Sequence, residues 1–316
     1  KWYPGDVEES ASGTQKAIFG FGTSYAAPFF GYTNVTNLVS SSGVVATNIT
    51  GVGTARDGLA AAGFGGDKAI FGFSYDTNVT NLVSNTGVVA SDSTGVGTTR
   101  GKLSATGYGG DKAIFGFGDT GDGDTNVTNL VSNAGVVSTD TTGVGTSRGG
   151  PAAAGYGSTG QAIFGFGTIA YGSTTPQNVT NLVSNTGVVA SDTTGVGTAR
   201  HGLAAAGYGG DKALFGYGAT EDSPNGYNSS MTNLVSNTGV VASDTTGVGT
   251  TRQRLAASGY GGDKAIFGFG WNEVYYNSAD FNVTNLVSNT GVVASDTTGV
   301  GSARQRLAAA GFSTTA

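Results

Sequence analysis

The stretch Thr250–Gly270 reads TTRQRLAASGYGGDKAIFGFG, and it returns with small changes along the whole chain. The segment DKAIFGFG or a variant recurs around Lys16, Lys68, Lys112, Gln161, Lys212 and Lys264, and GVGTxR or a variant recurs at Arg56, Arg100, Arg148, Arg200, Arg252 and Arg304. Successive copies start 44 to 52 residues apart. A sixfold repeat of that length marks an array of supersecondary units, each too small to bury its own apolar faces.

One unit, from Gly58 to Gly97, divides at its turn residues. Leu59–Phe64 is a short apolar run, strand a, followed by the turn Gly65-Gly66-Asp67. Lys68–Phe73 is strand b, rich in aromatic and β-branched residues; Thr80–Ser84 is strand c; Asn85-Thr86-Gly87 turns the chain into strand d, Val88–Asp92. Gly and Asp tolerate the positive φ that tight turns need. Four short strands with frequent turn signals and no 3.6-residue period predict an antiparallel all-β unit. Six such units set face to face around an axis would bury their faces and remove exposed edges, which predicts a six-bladed β-propeller of four-stranded blades. The small residues Ala60–Gly63 suit the innermost strand, and Phe71 and Phe73 suit the space between blades. The ends agree with closure: the chain starts with a strand b at Lys16–Phe21 and finishes with a strand a at Arg306–Phe312. Residues 1–15 read as a connector or strap and 16–316 as the repeat domain.

An arginine before a small-residue strand a, a Gly-Asp-Lys turn and the strand Lys-x-Ile-Phe together resemble kelch-type β-propellers over roughly Lys16 to Phe312. Where that family carries adjacent glycines after strand b, this chain has Gly72-Phe73. In the kelch family the face bearing the strand-a arginines often forms the ligand pocket. The resemblance therefore implies that Arg56, Arg100, Arg148, Arg200, Arg252 and Arg304 ring the axial mouth. Two answers to their mutual repulsion stand open: pairing with Asp92, Asp140, Asp192, Asp244 and Asp296 (Asn48 in the remaining copy), or an acidic ligand.

Composition narrows the function classes. Only 11% of residues are charged and 57 of 316 are glycine, a balance common in secreted or virion-surface proteins. The net charge of −6 argues against a nucleic-acid partner, which needs a basic face. There is no cysteine, so disulfides and thiol chemistry are excluded. No apolar run has the length of a membrane span, so insertion is not expected. The first residue is Lys1, and the expectation is a processed chain or a piece of a longer one. An enzyme is not expected: His201 is the one histidine, and the loop acids Glu221, Asp222, Glu273 and Asp280 have no repeat support.

The copies differ chiefly between strands b and c, at Thr23–Thr33, Ser74–Thr77, Asp119–Thr125, Thr168–Gln177, Ala219–Ser230 and Trp271–Phe281. These segments carry Tyr25, Phe29, Phe30, Tyr32, Tyr75, Tyr171, Tyr227, Trp271, Tyr275, Tyr276 and Phe281. Clustered aromatics on variable loops mark recognition surfaces as readily as drift. No cofactor is expected, with calcium at Asp119, Asp122 and Asp124 as the one metal arrangement on offer beside a plain solvated turn. Glycosylation sequons begin at Asn34, Asn48, Asn78, Asn126, Asn178, Asn228 and Asn282, where a polar strand start is the other reading. The sequence thus points to a non-enzymatic binding or adhesion module on a secreted or virion surface, taking a receptor protein or a glycan. The alternative is a self-assembling structural subunit of an extracellular filament or phage virion.

Overall fold

The computed structural model describes residues 14–25, 31–169, 175–220, 227–272 and 279–316. Most of the 1–15 segment therefore lies outside the described residues. The described chain is all β. In order the strands are β1 (Lys16–Gly20), β2 (Thr23–Ser24), β3 (Gly31–Tyr32), β4 (Thr36–Val39), β5 (Ala60–Phe64), β6 (Lys68–Gly72) and β7 (Thr80–Val83). Then come β8 (Ser104–Tyr108), β9 (Lys112–Asp119), β10 (Asp124–Val131), β11 (Ala152–Tyr156), β12 (Gln161–Gly165), β13 (Thr168–Ile169), β14 (Thr175–Pro176) and β15 (Thr180–Val183). The last are β16 (Ala204–Tyr208), β17 (Lys212–Gly216), β18 (Thr232–Val235), β19 (Ala256–Tyr260), β20 (Lys264–Asn272), β21 (Ala279–Val287) and β22 (Ala308–Phe312).

Six three-stranded antiparallel sheets result: β22-β1-β4, β5-β6-β7, β8-β9-β10, β11-β12-β15, β16-β17-β18 and β19-β20-β21. The complementary ends do meet, with Lys16 opposite Phe312 and Gly20 opposite Ala308. The expected fourth strand is a correction. It is reduced to two bridges per unit, such as Val83 with Val89 and Thr80 with Ser93. The cause is Asn81, whose Nδ2 donates to the Ala90 carbonyl at 3.0 Å and to Asp92 at 2.8 Å. A side chain thus takes the place of ladder bonds, and the five residues Val89–Ser93 lie opposite the four residues Thr80–Val83.

Strict alternation would send Phe19 and Phe21 to the same side of their sheet. Phe21 instead has φ 63°, and so do its counterparts Phe73, Phe117, Phe166, Tyr217 and Phe269 within a few degrees. In the two longest hairpins this site is a register shift, between Gly268 and Gly270 and between Thr125 and Thr128. The irregularity turns the second ring to the opposite face. Phe19 then packs toward the last sheet, while Phe21 packs with Ile18 toward the second. Every sheet therefore sends one aromatic each way. They meet as Phe21–Phe71, Phe73–Phe115, Phe117–Phe164, Phe166–Phe215, Tyr217–Phe267 and Phe269–Phe19, with centroids 5.0–5.1 Å apart. The core is accordingly divided, one apolar cluster at each joint between consecutive sheets.

The first strands of all six sheets line one central cavity of about 320 Å³. At its wall Gly63, Gly107, Gly155, Gly207, Gly259 and Gly311 stand in a cycle. A Cβ on each would lie 3.2–3.5 Å from the carbonyl oxygen of the preceding one. Nearby, Gly65 N–H donates to the Asp111 carbonyl, Gly109 to Gly160, Gly157 to Asp211, Gly209 to Asp263, Gly261 to Gln15, and Ser313 to Asp67. Each bond joins one a–b turn to the next sheet, and the last two join the chain's ends into the same cycle.

Gly207→Val should lower stability by about 1–3 kcal/mol, because a rigid backbone oxygen cannot yield to the added carbons. A denaturant midpoint that does not move would contradict this close approach.

Candidate functional site

At the other end of the sheets the link into strand a runs beside the segment leaving strand b. Gly101 exchanges backbone bonds with Asp119 at 2.8–2.9 Å, Gly149 with Thr168, His201 with Ala219, Gln253 with Trp271, and Gln305 with Thr23. The links and the variable segments thus share one end of the molecule. Part of that variation is ordered hairpin: β2 with β3, β13 with β14, and the extensions of β9–β10 and β20–β21.

The six arginines lie inside. Arg56 is 3% exposed and the other five are 0% exposed. Each guanidinium stacks on an aromatic ring of the preceding sheet, for example Arg56 over Phe21 at 4.4 Å and Arg304 over Phe269 at 4.2 Å. Arg100 shows the remaining geometry: its Nε donates to the Phe117 carbonyl at 2.8 Å, and its terminal nitrogens to the Thr98 carbonyl and to Asn129 at 2.7 Å. The recurring aspartate lies 3.2–4.0 Å away, as in Arg200–Asp244 at 3.2 Å. Burial lowers Arg56, Arg100 and Arg148 to about 10, with the aspartate opposing the shift. Burial also disfavours the charge on Asp92, yet the hydroxyl and amide of Thr54 and the amide of Asn81 outweigh it, and its carboxyl sits below the ordinary value. The internal answer to the arginines' repulsion is therefore built into every joint but one.

In the first sheet Asn48 stands where the others have aspartate. Arg304 there has no carboxylate, is lowered by burial to about 9, and leaves its Nη2 and the Asn37 Oδ1 without partners. Asn48 keeps the place by bonding Ser302 and Asn37.

The mouth itself is formed two residues after each arginine, by Gly58, Lys102, Gly150, Gly202, Arg254 and Arg306. Gly58 N–H donates to the Arg306 carbonyl at 3.0 Å, Arg306 to Arg254, Arg254 to Gly202, Gly202 to Gly150, and Gly150 to Lys102. All six have positive φ, between 47° and 66°. Glycine adopts this freely; the lysine and two arginines do so at a cost. Beneath them Leu59, Leu103, Pro151, Leu203, Leu255 and Leu307 make an apolar floor, and the recess above it holds about 120 Å³. Around the rim Arg306 pairs with Asp57 at 3.3 Å and Lys102 approaches Asp119 at 3.7 Å. Arg254 donates to Gln305 at 3.0 Å and covers the Trp271 ring at 4.5 Å. Gln305 in turn donates to Asp280, which also accepts from the Tyr25 amide at 2.7 Å. Burial raises the Asp57 carboxyl, with Arg306 opposing, and burial also raises Asp280 and the Tyr75 hydroxyl.

Of the loop aromatics, Tyr25, Tyr32 and Tyr227 are exposed. Trp271 and Phe281 are half-buried, and so is Tyr75, which lies against Gly58 and Gly101. Phe29, Phe30, Tyr171, Tyr275 and Tyr276 lie outside the described residues, as do Glu221, Asp222 and Glu273. His201 is buried beside the mouth. Among the described residues no three acidic or imidazole groups converge as a metal site; Asp119 stands opposite Asp124 in the β9–β10 ladder, approaches Lys102 and accepts from the Gly121 amide. The sequon asparagines are engaged: Nδ2 of Asn34, Asn78, Asn126, Asn178 and Asn282 donates to the carbonyl of Gly53, Gly97, Gly145, Gly197 and Gly301. Asn48 and Asn228 bond Ser302 and Asn272. A glycan at any of the seven would be attached to the same Nδ2 that makes this bond.

No family model matches the chain, and no curated protein matches it significantly.

Asn48→Asp should raise stability at pH 7 by about 1–2 kcal/mol, by giving Arg304 the carboxylate that its five counterparts have. A carboxyl held below its unfolded value stabilises above that value, and the gain is lost as pH falls through the lowered folded-state value. The stability difference between variant and parent should therefore close below the ordinary carboxylate value of 3.8. Denaturant titrations at pH 7 and pH 3 check both limbs.

Proposed function

We propose that the chain is a six-bladed β-propeller of kelch type acting as a non-enzymatic binding or adhesion module. Its partner is a receptor protein or a glycan, met by the end that carries the variable segments. The observation that carries this reading is the division of the molecule. Strands and joints repeat almost unchanged, while loop length, exposed tyrosines and the mixed-charge mouth all gather at one end. The cyclic contacts between sheets, the β1–β22 pairing and the shared central cavity support the propeller geometry. The low charge and Gly-rich composition support a secreted or virion-surface setting. Tyrosine and tryptophan supply contact area at small entropic cost, which suits a composite recognition surface on a stiff frame.

A second reading, a structural subunit of a filament or virion, draws on the opposite end. There Val44, Val88, Val136, Val188, Val240 and Val292, one per unit beside the c–d turn, are each 65–66% exposed. A symmetric set of apolar side chains suits stacking against another ring.

Replacing 23–33 and 271–281 with short Gly-Ser loops should abolish receptor or glycan binding and leave the thermal transition within a few degrees of the parent. Unchanged binding would refute the recognition face. Light scattering at high concentration addresses the second reading, which predicts association that Val88→Ser and Val188→Ser together reduce.

A further inference from the structure

We propose that Lys102, Arg254 and Arg306, with Gln253 beneath them, form a subsite for an acidic carbohydrate. This rests on the recognition-face reading above and adds to it a location and a ligand class.

The first observation is conformational. The mouth position is glycine in three units, with φ 61–66°, and a long cation in the other three, with φ 47°, 56° and 52°. Glycine makes the same kind of backbone bond without strain at Gly58, Gly150 and Gly202, so the frame does not need the cations. Strain kept at a site asks for a role beyond folding.

The second is which charges face outward. Lys102 is 41% exposed over Asp119 at 8%, and Arg306 is 30% exposed over Asp57 at 4%. The acids lie underneath, orienting the cations and holding them in place. What an approaching ligand meets is a set of N–H donors directed by buried carboxylates. A planar carboxylate or a sulfate can take two such donors from one guanidinium.

The third is an acceptor. Gln253 is 2% exposed, lines the same recess, and its Oε1 meets no donor. A buried carbonyl of this kind is worth most when a hydroxyl reaches it. A ligand with both an anionic group and hydroxyls satisfies both requirements. The leucine floor then receives the C–H face of a sugar ring. The recess of about 120 Å³ fits one terminal or branch residue, not a threaded peptide.

The test uses the full chain and three probe pairs: galacturonate oligosaccharides and their methyl esters, hyaluronate oligosaccharides and their methyl esters, and heparin oligosaccharides and their desulfated forms. Binding is read by calorimetry. At least one acidic probe should bind tenfold or more tighter than its neutral counterpart. The triple variant Lys102→Gly, Arg254→Gly, Arg306→Gly should lose that preference while keeping a cooperative thermal transition, lowered by the loss of the Asp57 and Asp119 partners and restored when Asp57→Asn and Asp119→Asn are added. Gln253→Met, of similar volume, should weaken acidic and neutral probes alike by several-fold. The proposal is overturned if no acidic probe binds, if each pair binds equally, if the triple variant binds as the parent does, or if a poly-glutamate peptide binds in preference to every sugar. Loss of receptor or glycan binding on loop replacement, together with full binding by the triple glycine variant, would leave the recognition face standing and remove this subsite.

Discussion

At each joint a guanidinium lies over an aromatic ring of the preceding sheet, and in all but the Arg304 copy its nitrogens reach nearby carbonyls and an asparagine. A buried cation on a ring contributes about 2 kcal/mol when desolvated. The ring can be there only because its residue leaves the β region. In the left-handed conformation it breaks the alternation of strand b and crosses to the neighbouring face. That conformation costs about 1 kcal/mol or more at each copy. Burying a phenyl ring contributes about 2–3 kcal/mol and the tilted aromatic pair adds to it, so packing offsets the strain. The irregularity, the ring and the guanidinium are one device. Removing any part leaves a buried charge without its partner, or a strained backbone without its reason.

Because that device recurs at every joint, the units need very little else from one another. Backbone bonds between turns tie one end of the sheets, and bonds among the mouth positions tie the other. The two sets of bonds differ in what they carry. The turn cycle is built mostly of glycines and aspartates, with Gln15 and Ser313 completing it at the β1–β22 sheet. The mouth positions are glycine in three units and a cation in the other three, so this end departs from sixfold uniformity where the variable segments rise. Symmetry at one end and its loss at the other separate what holds the molecule together from what it can meet.

Much of this was legible in the sequence. The period, the limits of strands a, b and c, and the sharing of a sheet by the two termini all follow from turn residues and residue size. The arginines were harder, because recurrence alone does not say whether a charge faces solvent or a neighbour's ring. Their interior place depends on Phe21 and its copies turning through positive φ, which alternation argues against. Strand d looked complete because Val88–Asp92 has strand composition, whereas the Asn81 side chain takes the bonds its backbone would have used. Lys102, Arg254 and Arg306 went unnoticed for a related reason. Their only signal is that Gly58, Gly150 and Gly202 occupy the same place two residues after the arginine, which marks a position wanting positive φ. Lys102, from a different segment, also approaches Asp119, a neighbour that spacing along the chain does not reveal.

The pairing of β1 with β22 also sets how the molecule responds to load. Lys16 stands opposite Phe312, so the chain's two ends depart from the same end of one antiparallel ladder. Tension drawn through them acts across the rungs and opens them singly, starting from Gln15 and Ser313, rather than shearing all of them together. The seam that completes the cycle is thus its mechanical fuse: it yields first under traction, because the strands of the other five sheets are held to one another by continuous chain.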